Sequence, residues 1–310
     1  MPPLAYFENK FQPVADCKIS IMTHALHYGT ACFEGIRLNW NDVDNDLYLF
    51  RLREHQARLL KSCKVLKITL PFTVQELCDL AVELAQRSGY KEDVYIRPLA
   101  YKSSETIGPK LHALEDGFFM TVTPFPPYLD VEKGVRACVS SWRRIDDTMF
   151  PPRAKVTGLY INSAIAKTDA VDAGYDEAIL LTADGHISEG TGQNLMMILD
   201  GKLVTPPSSD NVLLGITKDT LMTLARNELG LEAEERTLDR SELYMADEAF
   251  FTGTASHLTP ILEVDSRPVG NGQIGEITRK LMSLYFDIIR GRNARYKEQW
   301  CTPVYRSARS

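Results

Sequence analysis

Lys155 lies just ahead of a helical pattern, and the stretch Ser188-Glu189-Gly190-Thr191-Gly192-Gln193-Asn194 closes a strand and opens a glycine-rich turn. A primary amine is the group that condenses with an aldehyde to a Schiff base. A carboxylate is the group that keeps a proton on a ring nitrogen. Gly215-Ile216-Thr217 precedes another helical pattern, over 218–229. Backbone N–H groups and a hydroxyl at a helix start favour an anion. Val94, Tyr95, Ile96 and Arg97 alternate as a strand does, which puts Tyr95 and Arg97 on one face. His24 and His27 are three apart, but no cysteine or carboxylate cluster completes a coordination set, so both read as structural and no metal is expected. Each residue also has a plain alternative: a solvated Lys or Glu, an ordinary Thr N-cap, an aromatic ring in the core.

Such groups need a frame. Thr73 and Glu76 form a T-x-x-E capping box; Val74, Leu77, Leu80, Ala81 and Leu84 then make one apolar helical face, and Gly89 can end the helix. A strand over 118–123 runs into Pro124, Pro126 and Pro127, the best linker candidate. Beyond it comes a strand near 135–141. Ile161, Ala164, Ile165, Thr168 and Val171 then outline a helix ended by Gly174. Three strands follow, 178–182, 186–189 and 195–199, with Asp184-Gly185 and Asp200-Gly201 where tight hairpin turns belong. Connections this short demand antiparallel pairing, because a parallel crossover needs about a dozen residues or more. The expected fold class is therefore α+β, two domains with mostly antiparallel or mixed sheets and flanking helices. A doubly wound dinucleotide-binding sheet is a poor reading, given the hairpins and the lack of a G-x-G-x-x-G opening a helix after a strand, and leaves a nicotinamide oxidoreductase a distant option.

Composition narrows the class further. The chain has 310 residues, 44% of them hydrophobic, enough for a soluble globular protein with a sizeable core. No uncharged apolar run approaches the ~18 residues of a membrane span. Met1-Pro2-Pro3-Leu4 has neither the basic end nor the apolar stretch of a signal peptide. The six cysteines are scattered without a CxxC, which fits a reduced cytosol and argues against zinc. With net charge −6 and dispersed Lys and Arg, no nucleic-acid partner is expected.

Six blocks occur in order: His24-Ala25-Leu26-His27-Tyr28-Gly29-Thr30, Phe33-Glu34-Gly35-Ile36-Arg37, Tyr95-Ile96-Arg97-Pro98, Ser188-Glu189-Gly190, Gly215-Ile216-Thr217 and Gly253-Thr254-Ala255. Through them the chain resembles the branched-chain aminotransferases, pyridoxal 5′-phosphate (PLP) enzymes of fold type IV, from about Tyr6 to about Trp300. The resemblance implies a small N-terminal α+β domain (1–125), an interdomain loop (126–134) and a large C-terminal PLP-binding domain (135–310). It implies that Lys155, in a K-x-x-x-x-Y pattern with Tyr160, carries the Schiff base. Glu189 would face the pyridine nitrogen and Tyr160 the cofactor's 3′ oxygen. Arg58, Ile216, Thr217 and Thr254 would hold the phosphate. Tyr95, Thr254 and Ala255, with Arg97 beside them, would bind the substrate carboxylate. Phe33, Gly35, Tyr160 and Tyr28 would wall the side-chain pocket, Tyr28 reaching in from the partner subunit. Phe125 stands where some relatives have Trp.

The implied reaction moves the amino group of Leu, Ile or Val to 2-oxoglutarate, with amino acids and 2-oxo acids as partners, in a cytoplasmic homodimer or an oligomer of dimers, without membrane or nucleic acid. D-Amino-acid or (R)-amine transaminases and aminodeoxychorismate lyases share the fold and cofactor; the Tyr95-Ile96-Arg97 strand favours the branched-chain type. A relative reduced to a binding module would be expected to lack the Lys155, Tyr160 and Glu189 set, which this chain retains.

Overall fold

In the computed structural model, which describes residues 3–126 and 129–306, the chain divides twice over. Met1–Pro126, Ala154–Gly158 and Asp287–Ser310 form one unit, and Pro127–Arg153 with Leu159–Phe286 form the other. The sequence boundaries placed 135–310 together. In the structure Asp287–Ser310 groups with the first unit instead, because strand Cys301–Pro303 pairs antiparallel with strand Asp46–Phe50. The expected loop 126–134 includes Pro127 and Tyr128, which lie outside the described residues.

The first unit is built on an antiparallel sheet. Its order is Cys301–Pro303, Asp46–Phe50, Ile36–Asn41, Val94–Lys102, Asp116–Pro124, Leu4–Phe7 and Lys10–Pro13, with Ala31–Phe33 also pairing Val94–Lys102. Helix Val74–Ser88 starts on the capping box, Thr73 and Glu76 each satisfying the other, and ends at Gly89 in the left-handed conformation (φ 64°). Its buried face, Cys78, Ala81, Leu84 and Ala85, packs on Ile36, Leu38, Val94, Ile96, Met120 and Val122. The tail is fastened by the buried carboxylate of Asp46, which accepts from the backbone N–H of Val304 (3.2 Å), Tyr305 (2.7 Å) and Arg306 (3.1 Å).

The second unit is a mixed sheet in the order Ile187–Gly190, Glu177–Leu181, Val135–Arg143, His257–Val264, Glu248–Gly253, Asn194–Leu199, Lys202–Thr205 and Ala233–Glu235. Ile187–Gly190 also pairs with Asn194–Leu199, so these strands close into a ring. The two expected hairpins are present, with Gly185 at φ 100° and Asp200 and Gly201 at 48° and 74°. Leu181, Ile187, Leu195, Met197, Phe251 and Ile261 fill the core. Helix Tyr160–Asp172 forms where expected, but its buried positions are Ser163, Ala166 and Ala170. The larger apolar residues, Ile161 (64% exposed) and Val171 (53%), face outward. Small residues allow the helix to lie close against Ala178 and Leu180. Among the described residues no helix is long and apolar enough to cross a membrane, and no group of three or more His, Cys, Asp and Glu side chains is placed to hold a metal ion.

Candidate active site

In the first unit the strand pairing gathers one group of the expected residues. Arg37 and Tyr95 are opposite one another on neighbouring strands. The Tyr95 ring lies over Gly35 so closely that a Cβ there would come 1.6 Å from the Tyr95 hydroxyl, which makes glycine necessary at 35. Tyr95 and Arg97 share a face, and Arg97 Nη2 donates to the Tyr95 hydroxyl at 3.3 Å. The Arg97 guanidinium sits 4.5 Å from the Phe33 ring centroid and 5.3 Å from that of Tyr95. Its Nε is buried with no partner among the described residues. Phe125 stacks on Tyr95 at 4.7 Å, and Arg37 donates to the carbonyls of Phe125 (3.2 Å) and Pro126 (3.3 Å).

Lys155 belongs to the same unit although it lies far along the chain. Its N–H donates to Ser62 Oγ at 3.0 Å, its carbonyl accepts from Phe33 N–H at 3.1 Å, and Val156 bridges Cys32. Lys155 Nζ is 4.9 Å from the Phe33 ring centroid. Arg58 lies on helix Leu52–Val65 and is gripped by Glu34: Nε to Oε1 at 2.6 Å and Nη2 to Oε2 at 2.9 Å. His55 Nδ1 bonds Glu34 Oε2 at 2.8 Å. Burial pushes the Glu34 carboxyl up, but the Arg58 charge and the hydrogen bonds from Arg58 and His55 outweigh it and hold it well below the usual carboxylate range. Burial pulls His55 down against the opposing effect of Glu34.

The second unit gathers the remaining group. Glu189 is buried, with Arg144 Nη2 at 2.7 Å from Oε1. Its Oε2 accepts from Asn194 Nδ2 and Leu213 N–H, both at 3.0 Å. Helix Ile216–Leu229 starts from Gly215 without a side-chain cap, so its first-turn N–H groups are not taken up by its own N-cap side chain. A Cβ on Gly215 would meet Asn194 Oδ1 at 1.8 Å, so the Glu189 carboxylate and the helix start are packed through one asparagine. Ile216 and Thr217 open this helix, both buried. The helix packs on strand Glu248–Gly253, which delivers Thr254 and Ala255 in the following turn. Tyr160 opens helix Tyr160–Asp172. The Tyr28 hydroxyl accepts from Gly108 N–H at 2.8 Å, and the residue is 36% exposed. His24 is held by Thr30 and Gly108, and His27 by Ile21, which accounts for both in structural terms.

Sequence reasoning missed Glu34, His55, Arg144 and Asn194. Three had a signal: Glu34 lies inside the Phe33–Arg37 block, Asn194 closes the Ser188–Asn194 stretch, and His55 and Arg58, three apart, share a helix face. Arg144 had none, being a single charge brought to Glu189 by long-range pairing.

The class IV amino-transferase family matches residues 31–264. A probable branched-chain-amino-acid aminotransferase of Aquifex aeolicus is 48% identical over 97% of this chain and 96% of its own length. The branched-chain-amino-acid aminotransferase of Escherichia coli K12 is 37% identical over 92% of this chain and 93% of its own. Among solved structures, the branched-chain aminotransferase of Thermoproteus uzoniensis with norvaline superposes with TM-score 0.93 at 42% identity, covering 97% of this chain and 99% of that one. The branched-chain amino acid aminotransferase of Thermobaculum terrenum in its PLP-bound holo form also gives 0.93, at 37% identity, covering 98% of each chain. The family model over most of the chain and the likeness to these relatives over nearly its whole length place this protein in the class IV aminotransferase family, among the branched-chain-amino-acid aminotransferases.

Proposed function

We propose that the protein transfers the amino group of L-leucine, L-isoleucine or L-valine to 2-oxoglutarate with PLP as cofactor. The donor set fits that group: an amine at Lys155 for its aldehyde, a buried carboxylate at Glu189 for its ring nitrogen, and the start of helix Ile216–Leu229 for its phosphate. When bound, PLP supplies the carbonyl that accepts the amino group and the ring that accepts an electron pair from the substrate Cα. Lys155 would hold the aldehyde carbon, its oxygen leaving as water, and, once the substrate's amine has displaced it, the freed amine would carry a proton between the substrate Cα and cofactor C4′. Glu189, fixed by Arg144, Asn194 and Leu213, keeps the proton on the ring nitrogen. By the resemblance, Tyr160 would donate to the 3′ oxygen, and Arg58, Ile216, Thr217 and Thr254 would each hold the phosphate.

One observation carries the substrate reading: Arg97 lies against the Phe33 and Tyr95 rings, and its buried Nε has no partner among the described residues. Phe33, Gly35 and Tyr95 favour an aliphatic side chain, each buried methylene being worth about 0.8 kcal/mol. Arg97 and Tyr95, side by side on one strand face, would receive a carboxylate, glutamate's second one included, and the resemblance adds Thr254 and Ala255 to that role. Tyr28 completes the neighbouring subunit's pocket. Its exposure, with Ile21 at 80% and Leu26 at 63% nearby, supports a homodimer. The six free cysteines are in keeping with the cytoplasm. Initial rates for a panel of L- and D-amino acids with 2-oxoglutarate test the assignment. Leu, Ile and Val should exceed Ala by about tenfold or more; faster turnover of D-alanine than of L-leucine would overturn it.

A further inference from the structure

Glu34 is completely buried, yet it is a charged residue in the core of the first unit. Three bonds converge on it from one helix: Arg58 Nε at 2.6 Å, Arg58 Nη2 at 2.9 Å and His55 Nδ1 at 2.8 Å. A buried ion pair is a poor source of stability, since desolvation offsets most of its attraction. What a two-pronged fork does secure is orientation, because it fixes the plane of the guanidinium as well as its position. The backbone around Glu34 is fixed as well. Its N–H donates to Pro98 O at 3.0 Å, and Phe33 N–H donates to the carbonyl of Lys155 at 3.1 Å. The residues on either side, Phe33 and Gly35, meet Arg97 and Tyr95 respectively.

We propose that Glu34 is a positioning residue: it holds the Arg58 guanidinium in the orientation that receives the cofactor phosphate, and it ties that contact to the segment forming the substrate pocket. The inference rests on Arg58 being a phosphate contact. His55 steadies the second carboxylate oxygen. Glu34→Asp keeps the charge and withdraws the fork by one methylene, so it alters position alone.

The test compares the affinity of the cofactor-stripped full chain for PLP and for pyridoxal, which lacks the phosphate, by fluorescence titration. Arg58→Ala should weaken PLP by about tenfold or more and leave pyridoxal within about twofold, the loss of a charge-assisted bond. Glu34→Asp should show the same selective loss, and in the Arg58→Ala background it should add little, since coupled residues are not additive. His55→Gln is a second arm, with a smaller loss of the same selectivity. Equal losses for PLP and pyridoxal would make Glu34 merely structural and overturn the proposal, as would additive losses in the double variant. If Arg58→Ala leaves PLP affinity unchanged, the phosphate contact itself fails, and the proposal with it.

Discussion

The carboxylate of Glu189, proposed above as the partner of a ring nitrogen, is buried, and three donors make that burial tenable: the Arg144 guanidinium, the Asn194 amide and the Leu213 N–H. Glu189→Gln retains the shape but loses the charge. It should lower turnover by about a hundredfold or more while PLP remains bound, as for a preorganised electrostatic partner. Near wild-type rates with bound cofactor would remove Glu189 from the chemistry. Glu34 makes a prediction of a different kind. Its carboxyl is held below the ordinary value, so the unfolded chain binds the proton more readily and the native state gains stability above the ordinary carboxylate pKa. That gain is lost as pH falls through and below that value. Breaking the pair with Glu34→Gln should cost about 3–5 kcal/mol at neutral pH. The gap between wild type and variant should narrow below roughly pH 4.5 in denaturant titrations; a gap independent of pH would contradict the charge pairing.

Helix Tyr160–Asp172 shows how an element is placed by its small residues. Ala166 and Ala170 are the buried contacts against Ala178 and Leu180. Ala166→Leu should therefore overpack the interface at a cost of about 1–3 kcal/mol, read as a lowered denaturant midpoint. An unchanged midpoint would show the helix is free to move outward. The sequence reveals this helix by its period but suggests the wrong inward face, because Ile161, Ile165 and Val171 are larger and more apolar than the alanines that are buried. Local chemistry makes other elements legible. Helix Val74–Ser88 announces both ends, with a capping box and a glycine, and the hairpins carry Asp-Gly turns. Helix Leu52–Val65 announces neither: it follows Arg51 in the left-handed region (φ 50°) with no side-chain cap, so its start is set by tertiary contacts. The same divide runs through the site. Tyr95 and Arg97 are readable as neighbours from strand alternation alone. The Glu34–Arg58 fork and the Arg144–Glu189 pair join residues far apart in sequence and leave no periodic trace.

For the whole molecule, the expected oligomer follows from surface rather than core. Tyr28 with Ile21 and Leu26 forms an exposed apolar edge, and sedimentation should give a dimer or larger species whose activity is lost on dilution to monomer. A fully active monomer would refute a shared pocket. The division of the chain has a consequence for how the protein is made. The first unit is left at Pro126, revisited for Ala154–Gly158 and completed only from Asp287 onward, whereas the second unit is whole once Phe286 has been added. During synthesis strand Asp46–Phe50 waits with an open edge, and Asp46 lacks three of its donors, until Cys301 to Arg306 emerge. The unit that begins first is therefore finished after the second, and a ribosome stalled before Cys301 would leave a chain with Lys155 and Glu189 both present but the first unit's sheet without strand Cys301–Pro303.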